Sequence, residues 1–298
     1  TSGSDFNWTN DTLTIPALTN GITNFPINII DDTEQERTET LIVKIGAAVN
    51  TTVSATDYYQ LIYIKDNDYY APIATNEAKL SLLTSFSNGA SGTNSAEIVA
   101  HDPTNQRLYI ANSIGAELDI VDFSNPNAPV LLNSISVTPY GNINSVTVHD
   151  GLIALAIESV PAQANGSVVF LDGNGNFLNQ VTVGAMPDMI TFNKDYTKVL
   201  TANEGEPSAA YSALASNNID PLIDPLGSVS IIDLSAGVPA LTNSNVTTLD
   251  FTAYNGQETS LKNQGIRILY SAASVDQDME PEYITISDDN TKAFVGIQ

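Results

Sequence analysis

The 298-residue chain contains no cysteine. This excludes a disulfide-stapled scaffold, a thiolate nucleophile and any zinc or iron site held by sulfur, while leaving the compartment open. Positive charge is scarce: 10 Lys and Arg stand against 34 Asp and Glu, for a formal net charge of −24. A surface this acidic repels phosphates, which argues against nucleic acid and anionic membranes as partners and makes cations the natural counter-species. No apolar run approaches the roughly 20 residues that a membrane-spanning helix needs. No signal peptide opens the chain, so it reads as cytosolic, mature, or a fragment. Long stretches of 3.6-residue periodicity are missing too. The best helix candidate is Glu258–Asn263, with Gly265 placed to stop it.

What the chain has is strands. Segments such as Thr40–Ile45, Leu61–Ile64, Arg107–Ala111 and Ser228–Ile232 are short, rich in Val, Ile and Tyr, and bounded by Asn, Asp, Gly or Pro. The fold class is therefore all-β. The stretch Tyr69-Tyr70-Ala71-Pro72-Ile73-Ala74 follows a dense acidic turn and reads as a linker. The expected division is residues 1–70, a linker at 71–78, and a second domain over 79–298.

The second part repeats itself. Glu97–Asp102, Ser145–Asp150, Asp188–Asn193 and Glu282–Ser287 align, and each is followed by a second apolar strand, at Leu108–Ala111, Leu152–Ile157, Lys198–Ala202 and Lys292–Val295. Third strands end in Asp at Leu118–Asp122, Val168–Asp172 and Val229–Asp233, and fourth strands follow at Val130–Val137 and Phe177–Val183. Four antiparallel strands every 40–50 residues is the spacing of a β-propeller blade; a sandwich gives no reason for such recurrence. The starts are 48, 43 and then 94 residues apart, so the last interval holds an insertion or a poorly matching blade. About four blades fit, and the last unit stops after two strands. This predicts a partial propeller with C-terminal blades missing, and Leu80–Phe86 suits the outer strand of a closing blade.

Two acidic turns dominate the first part. Asp31-Asp32-Thr33-Glu34-Gln35-Glu36-Arg37-Thr38-Glu39 follows the strand Ile27–Ile30, and Ile64-Lys65-Asp66-Asn67-Asp68 ends the next. Brought to one end of a sandwich, such loops make the oxygen-rich cage that Ca²⁺ prefers; left apart, they are solvated turns. The pattern of Ile-Ile-Asp-Asp, Glu-x-x-Glu-x-Leu and Ile-x-Asp-Asn-Asp resembles the Calx-β domain, a calcium-binding β-sandwich, over roughly residues 1–68. The resemblance implies Ca²⁺ ligands at Asp5, Asp31, Asp32, Glu36, Glu39, Asp66 and Asp68, with the carbonyl of Glu34 as a further one. The chain departs from that family at Asn67, which stands where a central carboxylate is usual, and in lacking the family's first strand and early Glu, so the module is partial.

In a propeller the starts of first strands and the ends of second strands share one face near the axis. Here those positions hold Glu97, Ser145, Asp188 and Glu282, and Asn112, Glu158, Asn203, Glu204 and Gln298. The loops Asn203-Glu204-Gly205-Glu206-Pro207 and Asp278-Met279-Glu280-Pro281-Glu282 add Glu206 and Glu280 if they fold inward. Converging carboxylates repel unless a cation, a proton or water separates them. The mouth is accordingly a metal or cationic-ligand site, or a hydrated polar channel. Several of these segments, among them Asn-Ser-Val-Thr-Val-His-Asp-Gly-Leu-Ile-Ala, Ala-Asn-Glu-Gly-Glu-Pro and Asp-Met-Glu-Pro-Glu-Tyr-Ile, resemble the choice-of-anchor I proteins from about Lys79 onward. These are exported bacterial propellers similar to mesenchyme-specific cell-surface glycoproteins. The resemblance implies a secreted, cell-surface protein whose export or anchoring signals lie beyond Gln298.

Enzyme motifs are thin. His101 and His149 hold equivalent repeat positions before Asp, at the end opposite the acidic mouth, and no Gly-x-Ser-x-Gly elbow exists. Gly173-Asn174-Gly175 is a hairpin turn and lacks the Lys-Ser/Thr of a phosphate loop. The expectation is a non-catalytic binding or adhesion protein that meets an extracellular protein or glycan and uses Ca²⁺ to order the Calx-β loops. The alternative is a calcium-dependent phosphoesterase resembling propeller alkaline phosphatases, for which Arg37, Arg107 and Arg267 leave few groups to clamp phosphate.

Overall fold

Alternating β-branched residues between turns of Asn, Asp and Gly leave the backbone one economical way to satisfy its hydrogen bonds, the short antiparallel ladder. The computed structural model describes residues 6–7, 26–31, 39–46, 48–50, 52, 59–65, 80–87, 96–211, 223–268 and 273–298. It forms two units, residues 1–81 and 82–298. Among the described residues there are 18 strands and only two short α-helices.

The first unit shows two antiparallel pairs. Strand β1 (Phe6–Asn7) pairs with β2 (Asn28–Ile29), and β3 (Glu39–Lys44) pairs with β4 (Tyr59–Ile64). The second register sets Glu39 across from Ile64, so the start of β3 lies beside the end of β4.

The second unit is a run of antiparallel meanders. Blade 1 comprises β5 (Ala96–Asp102), β6 (Arg107–Asn112), β7 (Glu117–Asp122) and β8 (Val130–Ser136). Blade 2 comprises β9 (Asn142–His149), β10 (Leu152–Glu158), β11 (Asn165–Asp172) and β12 (Phe177–Ala185). Blade 3 comprises β13 (Pro187–Phe192), β14 (Lys198–Asn203), β15 (Ser228–Asp233) and β16 (Val246–Asp250). The pair β17 (Pro281–Ile286) and β18 (Ala293–Ile297) begins blade 4. Strand order within each sheet follows chain order, and each first strand packs against the next blade's first strand. That is propeller architecture.

The core is a stack of inter-blade layers. Tyr109, Leu118 and Ile120 of blade 1 pack against Ile143, Ile153, Leu155 and Ile157 of blade 2. Phe170, Val181 and Val183 of blade 2 pack against Ile190, Phe192, Val199 and Ile232 of blade 3, while Leu200, Ala202 and Val229 meet Ile284 of blade 4. Burying each Val, Leu, Ile or Phe among these contributes about 1.5–3 kcal/mol, which holds neighbouring blades together.

The 94-residue interval resolves into one blade with insertions. Residues 204–227 separate β14 from β15, and residues 251–280, carrying α1 (Glu258–Asn263) and α2 (Val275–Asp278), separate β16 from β17. The expected helix at Glu258–Asn263 is present, and Gly265 ends it at a φ of 90°. The expected strand at Leu80–Phe86 is not formed. A ladder needs a partner edge, no described strand pairs with this segment, and Leu80, Leu82 and Leu83 are exposed.

Candidate metal centre

The first strands of the described blades share a defect at one end. In β5, β13 and β17 the register slips between Ala96 and Ile98, Pro187 and Met189, and Pro281 and Tyr283. The residue left over at these slips is Glu97, Asp188 or Glu282. A β-bulge turns its extra residue out of the ladder and re-aims its side chain. The bulge thus presents a carboxylate from three different blades at the same end of the innermost strands. Blade 2 differs: its slip leaves Asn144 over, while Ser145 stays paired with Ala156 and buried. Asn144 donates through Nδ2 to the carbonyl of Pro187 at 3.2 Å, tying blade 2 to blade 3 beside Asp188.

Two glycines let the insertion loops close over this end. A Cβ on Gly205 would sit 2.7 Å from the carbonyl group of Leu226, and one on Gly227 would sit 1.7 Å from the carbonyl oxygen of Met279. Gly205 also holds a φ of 67°, open to glycine at little cost. Backbone therefore lies directly on backbone across residues 203–207, 224–227 and 279–281. The Glu204 amide donates to the Met186 carbonyl at 3.0 Å, and the Gln298 amide to the Glu280 carbonyl at 2.9 Å. The first contact brings Glu204 to the strand that carries Asp188, and the second holds Glu280 at the start of β17, which carries Glu282.

One oxygen from each of Asp188, Glu204 and Glu282 lies within 4.8 Å of the others, and all three residues are half-buried. Burial pushes the Asp188 carboxyl up to about 6, helped by the charges of Glu282, Glu97, Glu206 and Glu158. Burial likewise pushes Glu204 well above its ordinary range, reinforced by Asp188, a hydrogen bond to Glu282, and Glu206. Burial and the charges of Glu206 and Asp278 raise Glu280 in turn, with Arg267 acting the other way. One oxygen of Glu282, Oε2, is sealed from solvent with no hydrogen-bond partner among the described residues. Chemically, this is a set of hard oxygen donors short of positive charge, the donor set of Ca²⁺ or Mg²⁺.

The seven mouth residues read from the sequence divide as follows. Asp188, Glu204 and Glu282 form the tight set; Glu97, Glu158, Glu206 and Glu280 lie within electrostatic reach of it. Glu97 is exposed, and Glu158 accepts from Asn142 Nδ2 at 3.3 Å. Asn112 and Asn203, expected to face the mouth, serve the blades instead. Asn112 Oδ1 accepts the Gly115 amide at 2.8 Å, and fully buried Asn203 donates to Ser228 and Ser230 and accepts from Thr201. Asp278, from the acidic loop 278–282, and Asp224, from the long insertion, join the acidic region. Asp278 sits in the same acidic run as Glu280; Asp224 is preceded by nothing more telling than a repeated Asp-Pro.

Of the Calx-β ligand set, Asp31 is described and exposed, and Glu39 is described in its backbone only. Asp5, Asp32, Glu34, Glu36, Asp66 and Asp68 lie outside the described residues.

The opposite end of the blades is built of turns. Asp102 accepts from the amides of Thr104, Asn105 and Gly151, which lock blade 1 to blade 2. His149 stacks on Tyr196, and His101 meets Phe123 edge-on. Arg107 donates to the Gly173 carbonyl and to Asn174 of the turn joining β11 and β12.

The choice-of-anchor I domain matches residues 97–298 of the chain. No curated protein matches it. Among solved structures, hydrazine synthase of Kuenenia stuttgartiensis is similar at 13% identity and a TM-score of 0.38, over 68% of this chain and 61% of that one. A protein from Lactobacillus plantarum is similar at 13% identity and a TM-score of 0.42, over 68% and 50%. A functionally unknown protein from Desulfotomaculum acetoxidans is similar at 18% identity and a TM-score of 0.35, over 55% and 50%. The chain thus spans between half and about three fifths of the length of these structures.

Proposed function

The chain belongs to the choice-of-anchor I family and is a cell-surface-associated protein, and from that premise we propose that its propeller mouth binds Ca²⁺ and through it an extracellular ligand. The observation that carries this reading is the meeting of Asp188, Glu204 and Glu282 oxygens within 4.8 Å. Carboxylates that close, half-removed from water, repel unless protons or a cation stand between them. A divalent ion held by three carboxylates keeps coordination positions open toward solvent, since Ca²⁺ takes 6–8 oxygens. A carboxylate or hydroxyl of a surface glycan or protein fills those positions. The protein is then a secreted bacterial adhesion or binding module, non-catalytic, with a second role for Ca²⁺ in the Calx-β loops of residues 1–70.

The test is a thermal melt of the full chain with EDTA or with Ca²⁺, for the wild type and for Asp188→Asn/Glu204→Gln/Glu282→Gln. Ligand present at 100 times its Kd stabilises by about 2.7 kcal/mol, so the wild type should melt several degrees higher in Ca²⁺. The triple variant should lose that part of the shift. An identical calcium shift in both proteins refutes the mouth as the site.

One observation favours the phosphoesterase reading: the Arg267 charge reaches Glu280, which sets a guanidinium near the acidic cluster. Under that reading the full chain with Ca²⁺ hydrolyses p-nitrophenyl phosphate, and Arg267→Ala abolishes turnover.

A further inference from the structure

We infer that the mouth holds a second divalent cation, between Asp224 and Glu280 and beside Asp278, next to the ion at Asp188, Glu204 and Glu282. This rests on the cation-binding reading of the mouth and extends it from one ion to two.

Asp224 is only 2% exposed, and its Oδ2 is sealed from solvent with no hydrogen-bond partner among the described residues. Burying a carboxylate oxygen without a partner is costly, so structures keep one where something else satisfies it. Among the described residues, the charges acting on Asp224 are those of Glu280 and Asp278, both negative. Its neighbour Asp276 makes the contrast. Asp276 is equally buried, yet its carboxylate accepts from Thr252 Oγ1 at 3.1 Å and from the Ser274 hydroxyl. The protein satisfies one of these buried acids with hydroxyls and leaves an oxygen of the other bare.

The position of Asp224 is fixed by means that do not use its carboxylate. Its carbonyl accepts from Gln277 Nε2 at 2.8 Å. The Gly227 backbone that follows lies against the Met279 carbonyl, and the Gly227 amide donates to the Asp276 carbonyl at 2.9 Å. The side chain is thus held at the flank of the Asp278–Glu282 segment with its free oxygen inside.

A single ion at the first triad does not serve this flank. The oxygens that meet within 4.8 Å are those of Asp188, Glu204 and Glu282, a set that does not include Asp224. Glu280 directly follows Met279, whose carbonyl lies against Gly227 of the Asp224 loop, and it feels the charges of Glu206, Asp278 and Glu282. A second hard cation taking Asp224 and Glu280, completed by water, neutralises the flank as the first neutralises the triad.

The test is anomalous diffraction from crystals of the full chain soaked in Tb³⁺, an oxygen-seeking ion that takes Ca²⁺ sites. Two peaks are expected at the mouth, one among Asp188, Glu204 and Glu282 and one beside Asp224 Oδ2. Asp224→Asn and Glu280→Gln should each remove the second peak and keep the first. A wild-type map with the triad peak and nothing beside Asp224 overturns the second site and leaves the first standing. A map with neither peak overturns both. The wild-type soak decides the matter even where a variant fails to fold.

Discussion

Asp188 and Glu282 occupy the same place in two neighbouring blades: each is the residue left over at a bulge in its innermost strand, and one oxygen of each lies within 4.8 Å of the other. Regular pairing would have sent alternate residues to alternate faces of the sheet. The repeated bulge instead points carboxylates from separate blades at one another. Metal-free, this arrangement works against folding; under the proposed reading, a divalent ion turns the same repulsion into binding.

That opposition gives the first prediction. Asp188→Asn removes one of the clustered charges, so the variant should be as stable as the wild type or more stable in EDTA, and should bind Ca²⁺ at least tenfold more weakly. Paired denaturant titrations and calorimetry check both halves. A variant destabilised without metal and unchanged in affinity contradicts the assignment.

The second prediction concerns pH. Asp188 has its pKa raised to about 6 from an ordinary 3.8, and Glu204 is raised as well. Raised carboxyls hold protons more tightly in the folded state, so their contribution is full at pH below their unfolded values and is lost as pH rises through the folded ones. In EDTA the protein should therefore melt at a lower temperature at pH 8 than at pH 5. Saturating Ca²⁺ should flatten or reverse that slope, because the ion binds the ionised form and releases protons. A metal-free Tm that climbs from pH 5 to pH 8 contradicts the cluster's electrostatics.

A third prediction isolates the loops. Gly227→Ala would place a methyl 1.7 Å from the Met279 carbonyl oxygen, so the loop carrying Asp224 must move off the segment carrying Glu280. The expected cost is about 1–3 kcal/mol of stability, with a calcium-induced Tm shift reduced by half or more and far-ultraviolet circular dichroism unchanged. An unaltered calcium shift would show that loop stacking does not build the site.

The fourth is a control at the far end. His149 stacks on Tyr196, and its Nε2 lies 3.5 Å from Asp150. His149→Ala should cost about 0.5–1.5 kcal/mol through the lost stack and leave calcium binding as in the wild type. A loss of calcium response there would mean that the two ends of the blades are coupled.

The blade repeat was legible because each strand carries its own pattern. Glu97–Asp102 and Ser145–Asp150 show the same alternation and the same His-Asp turn, and burial of alternate residues between blades requires it. The helix at Glu258–Asn263 was legible through Gly265. The candidate site was legible in its residue types and in part of its geometry. Glu97, Asp188 and Glu282 follow from strand starts, but a bulge is a misfit between two strands, and neither strand announces it alone. Hence Ser145 aligns with Glu97 in sequence while the slip in blade 2 falls on Asn144. Asn203 looked like a mouth residue and turned inward because Ser228 and Ser230, 25 and 27 residues later, needed its amide. Asp224 lay in a long insertion, where only tertiary contact with residues 276–281 gives it meaning.

The account stands most directly on a count of bound ions. Isothermal titration of the full chain with Ca²⁺ should give at least one more equivalent for the wild type than for Asp188→Asn/Glu204→Gln/Glu282→Gln, whatever residues 1–70 bind in both. Equal stoichiometry in the two folded proteins would contradict the claim that the propeller mouth is a cation site.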